Sequence, residues 1–314
     1  MRAYPPADVR VLVVGEALVD VLRHPHGEER RVAGGGPSNV ALGLGRLRVP
    51  TELLTHVAPD DDGILVLHQL IDAGVAVIPG SLAATRTPTA IATIGDHGQP
   101  QYAFDVTWAL PRSTEFLSLP DLVHVGSYGA FVAPGCDEVL LVVERARKQG
   151  ATVTFDPNIR PALLGSHAEV LARFELLAGL ATVVKLSDED ARWLYPRLTS
   201  AAVVAHLLTL GATLVAFTLG PDGSVLATLA GSVPLTATPA NVVDTIGAGD
   251  SYMAALIQCL LHADLTRSGE LEWIGRRASA AAAITVGRFG ADPPWLAELD
   301  GSLLRTQAVE APGG

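Results

Sequence analysis

The chain has 314 residues, 49% of them hydrophobic and 18% charged, with a formal net charge of −11. That composition belongs to a globular protein with a large core and excludes a disordered chain. The acidic balance disfavours a nucleic-acid partner, because a phosphate backbone needs a basic footprint, but leaves room for a nucleotide held by a few local donors.

Two cysteines, Cys136 and Cys259, are too few for a disulfide framework or a cysteine zinc site and fit a reducing cytoplasm. Met1 to Arg10 is polar and broken by proline, unlike a secretory leader, and no apolar run is long and clean enough to span a bilayer. The expectation is a cytoplasmic protein with no membrane partner.

Val11 to Val14 is a short apolar run ending at Gly15, the pattern of a buried first strand. Glu16 and Asp20 follow just past its end, where open α/β sheets bind ligands. The polar stretch Arg23 to Arg31 reads as an exposed hairpin or loop, and His24 and His26 within it read as solvated. Gly34-Gly35-Gly36-Pro37-Ser38-Asn39 leads into a helical run from Val40 to Leu47, so backbone there can approach a ligand. Thr51 to Val57 reads as a strand and Gly63 to Ala73 as a helix. Thr89 to Gly95 and Gln101 to Phe104 read as a hairpin about Asp96-His97-Gly98. From Leu122 onward strands alternate with helices: strands near 122–125, 152–155, 183–185 and 214–218, helices near 137–148, 167–179, 188–195, 201–210, 250–262 and 271–285, and a hairpin element at 224–229. Such alternation predicts βαβ units, a mostly parallel sheet and helices on both faces. The segments at about 17–33 and 85–110 break it and predict a small antiparallel sheet standing off the main body.

The stretch Asp244-Thr245-Ile246-Gly247-Ala248-Gly249-Asp250 marks a change of texture. Past it, Met253, Leu256, Ile257, Leu260 and Leu261 recur at helical spacing. A Gly-Ala-Gly turn thus empties into a helix N-terminus, whose free N–H groups suit an anion, with Asp250 beside them as a base. The plainer reading is a tight turn with Asp250 as an N-cap. No Gly-x-x-x-x-Gly-Lys-Ser/Thr, no dinucleotide-binding glycine fingerprint after the first strand, no Gly-x-Ser-x-Gly and no His-Glu-x-x-His occurs.

Four stretches taken together, Gly34 to Asn39, Asp156-Pro157-Asn158-Ile159-Arg160, Thr218-Leu219-Gly220-Pro221-Asp222-Gly223 and Asp244 to Asp250, resemble the ribokinase-like (PfkB-type) carbohydrate kinases in order and spacing, from about Val11 to Ala297. The resemblance implies one three-layer α/β/α kinase domain over 1–314, with a mostly parallel sheet and a small antiparallel β lid. It implies ATP and Mg2+, and for some members K+. It implies Asp250 as the base that takes the proton of the attacking sugar hydroxyl, and Gly247, Ala248 and Gly249 as the anion hole. Asp20, Gly34, Gly35 and Asn39 match sugar contacts. Without the family, Asp20 reads as a turn residue and Asn39 as a helix cap. Arg160 matches a phosphate or substrate contact, against a plainer ion pair with Asp156. Lys185, Thr218, Gly220 and Gly223 match the nucleotide side, with the region 283–291 as the adenine wall. Asp244 matches a monovalent-cation site. Where the family has Asn-x-x-Glu near the metal, this chain has Ser187 and Asp190, so Asp190 would act on Mg2+ indirectly.

Within the family the motifs look most like bacterial fructokinases, with 2-keto-3-deoxygluconate kinases sharing the stretch at 156–161. A sugar-phosphate acceptor would need extra cations, for which Arg23, Arg30, Arg31 and Arg86 are the candidates. A sugar-binding protein without transfer is the reading from a different class. The lid suggests a homodimer.

Overall fold

Val11 to Val14 form β1 in the computed structural model, which describes residues 9–23, 28–94, 100–110 and 120–310. All four residues are buried. Val11 and Val13 enter the core on one face of the sheet, Leu12 and Val14 the core on the other. A continuous apolar run is what a parallel strand covered on both faces requires. β1 pairs in parallel with β4 (Thr51–Leu54) and β8 (Leu122–Gly126).

The large sheet continues through β9 (Thr152–Asp156), β10 (Val183–Ser187), β11 (Leu214–Thr218), β12 (Ser224–Thr228) and β13 (Gly231–Leu235), and on the other side through β5 (Ala76–Val77). Its order is β13-β12-β11-β10-β9-β8-β1-β4-β5. The pairs from β11 across to β5 are parallel, while β12 and β13 close the far edge antiparallel. On one face lie α1 (Gly36–Arg46), α2 (Asp61–Asp72), α7 (Ala248–Leu260), α8 (Glu270–Val286) and α9 (Leu296–Glu310), contributing Leu44, Leu70, Leu256, Ile274 and Leu299 to its core. On the other lie α3 (Gly135–Lys148), α4 (His167–Leu180), α5 (Asp188–Leu194) and α6 (Ser200–Leu210), contributing Val143, Phe174, Leu194 and Leu207. The result is the expected three-layer α/β/α sandwich.

The lid is a second sheet of order β3-β2-β6-β7, from β2 (Leu18–Arg23), β3 (Glu29–Gly34), β6 (Thr89–Ile94) and β7 (Pro100–Asp105). The two expected hairpins, β2–β3 and β6–β7, are antiparallel, and a parallel pairing of β2 with β6 joins them. Val19, Val21 and Ala33 root the lid in the main core. The turn at Asp96-His97-Gly98, and His24 and His26, lie outside the described residues.

Several boundaries differ from the sequence reading. β4 stops at Leu54 because Ser81 takes over the backbone: its Oγ accepts the Thr55 N–H at 3.1 Å and its carbonyl the Val57 N–H at 2.9 Å. α2 begins at Asp61, capped by Asp60, whose carboxylate accepts the Gly63 N–H at 2.8 Å. α7 begins at Ala248 with Gly247 as its N-cap, so Asp250 is inside the first turn and is not the cap.

Candidate active site

Five adjacent parallel strands deliver polar residues to one edge of the sheet. Glu16 follows β1, Ser127 follows β8, Asp156 ends β9, Ser187 ends β10 and Thr218 ends β11. The register aligns Gly126 with Asp156 and Ser187 with Thr218. This carboxyl edge is where ligands bind in open α/β sheets.

Two helices cross above it. Asn39 and Gly43 share one face of α1, and Asp250 and Ala254 share one face of α7, each pair a turn apart. A Cβ on Gly43 would stand only 2.7 Å from the Ala254 Cβ, so the helices approach this closely because Gly43 has none. One turn away, the Asn39 Nδ2 donates to Asp250 Oδ2 at 2.9 Å. Asn39 lies within α1, whose N-cap is Gly35, so the helix-cap reading of Asn39 fails. Asp250 is 8% exposed. Burial pushes its pKa up to about 6 against the opposing Asn39 hydrogen bond; Asp156 raises it further, while Lys185 and Arg160 pull it down.

Before Asp250 the chain turns through Gly247 at φ 75°, a left-handed conformation, and a Cβ there would lie 2.5 Å from the Ala291 Cβ. The Ala248 N–H reaches the Thr245 carbonyl at 3.3 Å. Among the described residues no acceptor takes the Gly249 or Asp250 N–H, so two donors at a helix N-terminus face the cleft. Asp244 clips this turn to the wall: one oxygen accepts the Ile246 N–H at 3.0 Å, the other the Gly290 N–H at 2.9 Å.

Beneath the turn sits a buried ion pair. The Lys185 Nζ donates to Asp156 Oδ2 at 2.6 Å, and both side chains are nearly solvent-free. Burial depresses the Lys185 pKa, but the Asp156 charge and hydrogen bond outweigh it and hold it above the ordinary value. The ammonium is also the nearest neighbour of Gly249, 3.2 Å from where a Cβ would sit. Asp156 therefore pairs with Lys185 and not with Arg160, an exposed residue whose one hydrogen bond among the described residues is to the Ile159 carbonyl at 3.1 Å. Asp156 Oδ1 is buried without a hydrogen-bond partner among the described residues. Asp190 Oδ1 accepts the Ile159 N–H at 2.9 Å, while Ser187 caps α5 by accepting the Asp190 N–H at 3.0 Å. Burial, then the nearby Asp156, raises the Asp190 pKa to about 6. His124, buried in β8 and bonded to Thr154 at 3.0 Å, is pushed down to about 3 by burial and Lys185, and so is neutral.

On the lid side, Asp20 Oδ2 lies where a Gly34 Cβ would be, at 2.3 Å. Burial raises the Asp20 pKa to about 6, and Arg160 opposes the shift. Thr218, Gly220 and Gly223 line the turn after β11, with Gly220 and Gly223 at φ 56° and 100°. Tyr252 of α7 donates to Ser224 at 3.0 Å, tying that turn to the helix of Asp250. Sequence reasoning missed Ser127, His124 and the partner of Asp156. Ser127 and Asn158 hold φ of 52° and 39°, which no spacing reveals, whereas a histidine inside Leu122-Val123-His124-Val125 was a visible signal.

The architecture, a large mostly parallel sheet between helices with a small second sheet, matches solved ribokinase-like structures. The structure superposes on fructokinase with bound ATP from Xylella fastidiosa with TM-score 0.82 at 22% identity, covering 95% of this chain and 99% of that one. It superposes on Vibrio cholerae fructokinase in its fructose-, ADP- and calcium-bound form with TM-score 0.81 at 25% identity, covering 94% and 99%. The profile of the pfkB family carbohydrate kinases matches residues 9–298, and the chain belongs to that family. A fructokinase of Rhizobium leguminosarum bv. trifolii is 33% identical over 261 residues, 80% of this chain and 79% of that one. A fructokinase of Klebsiella pneumoniae is 32% identical over 262 residues, 79% and 83%. The protein is a sugar kinase.

Proposed function

We propose that the protein transfers the γ-phosphoryl group of ATP to fructose, giving fructose 6-phosphate, with Asp250 as the base. The observation that carries the reading is the buried Asn39–Asp250 hydrogen bond beside two unpartnered backbone N–H groups at the start of α7. Asp250, held by Asn39, accepts the proton of the attacking hydroxyl as the bond to phosphorus forms. The Gly247–Gly249 turn meets the charge that develops on the transferred group, with Lys185 beneath it as a fixed cation. Asp20, Gly34, Gly35 and Asn39 orient the sugar, and Thr218, Gly220 and Gly223 border the nucleotide.

Mg2+ fits these residues as a hydrated ion. No described group of three or more His, Cys, Asp or Glu side chains forms a metal cage, and Mg2+ ordinarily keeps water and binds through few carboxylates and substrate phosphates. The unpartnered Asp156 Oδ1 and the carboxylate of Asp190 are the groups that would hold it through water. When bound it would neutralise phosphate charge. A double mutant of Vibrio cholerae fructokinase has a potassium-bound form, and Asp244 is our cation candidate in this chain, although backbone N–H groups occupy both its oxygens.

The arginines argue for an unphosphorylated acceptor. Arg23 pairs with Glu29, Arg31 with Glu29 and Asp62, and Arg86 with Asp105, while Arg30 stacks 3.7 Å over the Phe289 ring. The four residues named as candidates for a second phosphate are thus engaged elsewhere. Arg160 has free donors and influences both Asp20 and Asp250, which supports one further reading: a sugar acid such as 2-keto-3-deoxygluconate. ADP release measured with fructose, 2-keto-3-deoxygluconate, ribose, adenosine and fructose 6-phosphate tests this. Turnover is expected with fructose; turnover only with another acceptor overturns fructose and names its replacement. The lid, a small sheet whose edge strands β3 and β7 each pair on one side only among the described residues, is also the surface through which we expect a homodimer, to be read by light scattering.

A further inference from the structure

Arg30, Val32 and Gly34 share one face of β3, because side chains alternate along a strand. At Gly34 that face meets the sugar side: Asp20 Oδ2 lies 2.3 Å from where a Gly34 Cβ would be. Two positions back, Val32 Cγ1 lies 3.7 Å from where a Gly290 Cβ would be. Two further back, the Arg30 guanidinium lies 3.7 Å over the centre of the Phe289 ring. Among the described residues Arg30 has no ion pair, unlike Arg23, Arg31 and Arg86. Arg31, on the other face, donates to Asp62 Oδ1 at 2.8 Å at the start of α2. The strand is thus held from behind by the main body and laid against 289–290 in front. The same segment carries the phosphate turn. Asp244 ties the Gly290 N–H at 2.9 Å to the Ile246 N–H at 3.0 Å, and Gly247 packs on Ala291 so closely that a Cβ would stand 2.5 Å from the Ala291 Cβ. Behind it, Asp292 accepts from Arg46 of α1 and from Arg288. One face of β3 therefore runs from Asp20 to the residues against which the Gly247–Gly249 turn is set, a reach of about 13 Å at the rise of a strand.

We propose that Arg30 of the lid is a positioning residue for phosphoryl transfer: through the Phe289 ring it holds the 289–291 segment, and with it the Gly247–Gly249 turn, in the geometry that meets the transferred group. Arg30 acts through Phe289 and touches neither sugar nor phosphate. A guanidinium suits the negative face of an aromatic ring, and an exposed one holds the segment without the cost of burying a charge. Phe289 is 48% exposed, which places the contact at the modest end for such pairs. The donors of an anion hole act on charge that develops in the transition state, so a slackened turn lowers kcat and leaves the sugar KM where it was. The inference rests on the Gly247–Gly249 turn being the anion hole.

The test measures kcat at saturating ATP with whichever acceptor the wild-type enzyme turns over. Arg30→Gln keeps a polar stem and removes the charge; kcat is expected to fall about two- to fivefold, the worth of an exposed cation–π contact, with the sugar KM unchanged. Arg30→Lys restores a cation and Phe289→Tyr keeps a ring face, so each should retain the wild-type kcat. Phe289→Leu should match Arg30→Gln, and the double variant Arg30→Gln with Phe289→Leu should be no worse than either, because both changes remove one interaction. Arg86→Gln, at an exposed arginine paired with Asp105 of the lid, is the control and should leave kcat unchanged. An unchanged kcat in Arg30→Gln, a rise in sugar KM in its place, an equal loss in Arg86→Gln, or losses that multiply in the double variant overturns the inference. Full activity in Gly247→Ala would instead overturn the anion-hole reading on which it rests.

Discussion

Replacing Asp250 by asparagine separates the chemical role of this residue from its cost to the fold. The carboxylate is buried, and burial lifts its pKa from 3.8 to about 6. The folded state therefore binds a proton more tightly than the unfolded chain, and stability falls as pH rises through that window. The penalty is absent below the unfolded value and complete above about 6. Two units correspond to about 3 kcal/mol at pH 8 and about half that at pH 5. Asparagine keeps an oxygen for the Asn39 Nδ2 and removes the charge. The variant should lose roughly 10² to 10⁴ in kcat, the range for a positioned general base. It should also melt on the order of 4 °C higher than wild type at pH 8, with about half that gain at pH 5. Steady-state ADP release and paired thermal melts measure both. A variant that melts lower at pH 8, or gains equally at both pH values, refutes the argument that a desolvated charge is held there for use. Undiminished kcat refutes Asp250 as the base.

Asp250 must be ionised to accept a proton, so kcat/KM should fall as pH drops through about 6, with Asp20 titrating nearby and steepening the limb; a midpoint near 4 would contradict this. Lys185→Met strands the Asp156 charge in a solvent-free site and should destabilise by about 3–5 kcal/mol in urea melts, whereas Lys185→Met with Asp156→Asn should recover much of it. Gly43→Leu must separate α1 from α7 at Ala254, so the Asn39–Asp250 bond should break and the sugar KM rise at least tenfold, visible in initial rates. Gly247→Ala places a Cβ at φ 75° against Ala291 and should cost about 1–3 kcal/mol in stability together with most activity, read by melts and kcat.

Much of this was legible in the chain. Each strand of the parallel run except the two-residue β5 announced itself as an apolar segment, and the Gly-Ala-Gly turn before an amphipathic helix located the start of α7 within two residues. Asp250 was visible but ambiguous between cap and base. The start of α7 at Ala248, with Gly247 as its cap, removes the cap reading, and the contact with Asn39, 211 positions away, supports the base. The lid hairpins were readable from alternation, yet the parallel weld between β2 and β6 was not, because register between distant strands leaves no local trace. Helix α9 went unread, although Pro293-Pro294 just before Leu296 is a recognisable start signal. The Lys185–Asp156 pair was hidden because Asp156 ends β9 and Lys185 lies inside β10, and nothing local in either strand reveals that their side chains meet.

The strand order carries a consequence for how the enzyme comes into being. From β8 to β13 each strand lies beside its predecessor in the chain, so residues 122–235 form a block of mostly sequential pairings. β1, by contrast, must find β8 across more than a hundred residues, and loop closure makes such pairings slow. The cleft falls on that seam. Asp156 and Lys185 come from the sequential block, Glu16 and Asn39 from the early segment, and Asp250 from the helix that follows. A nascent chain can thus complete its largest stretch of sheet while still lacking a cleft, and phosphoryl-transfer competence arrives only with the last long-range docking event.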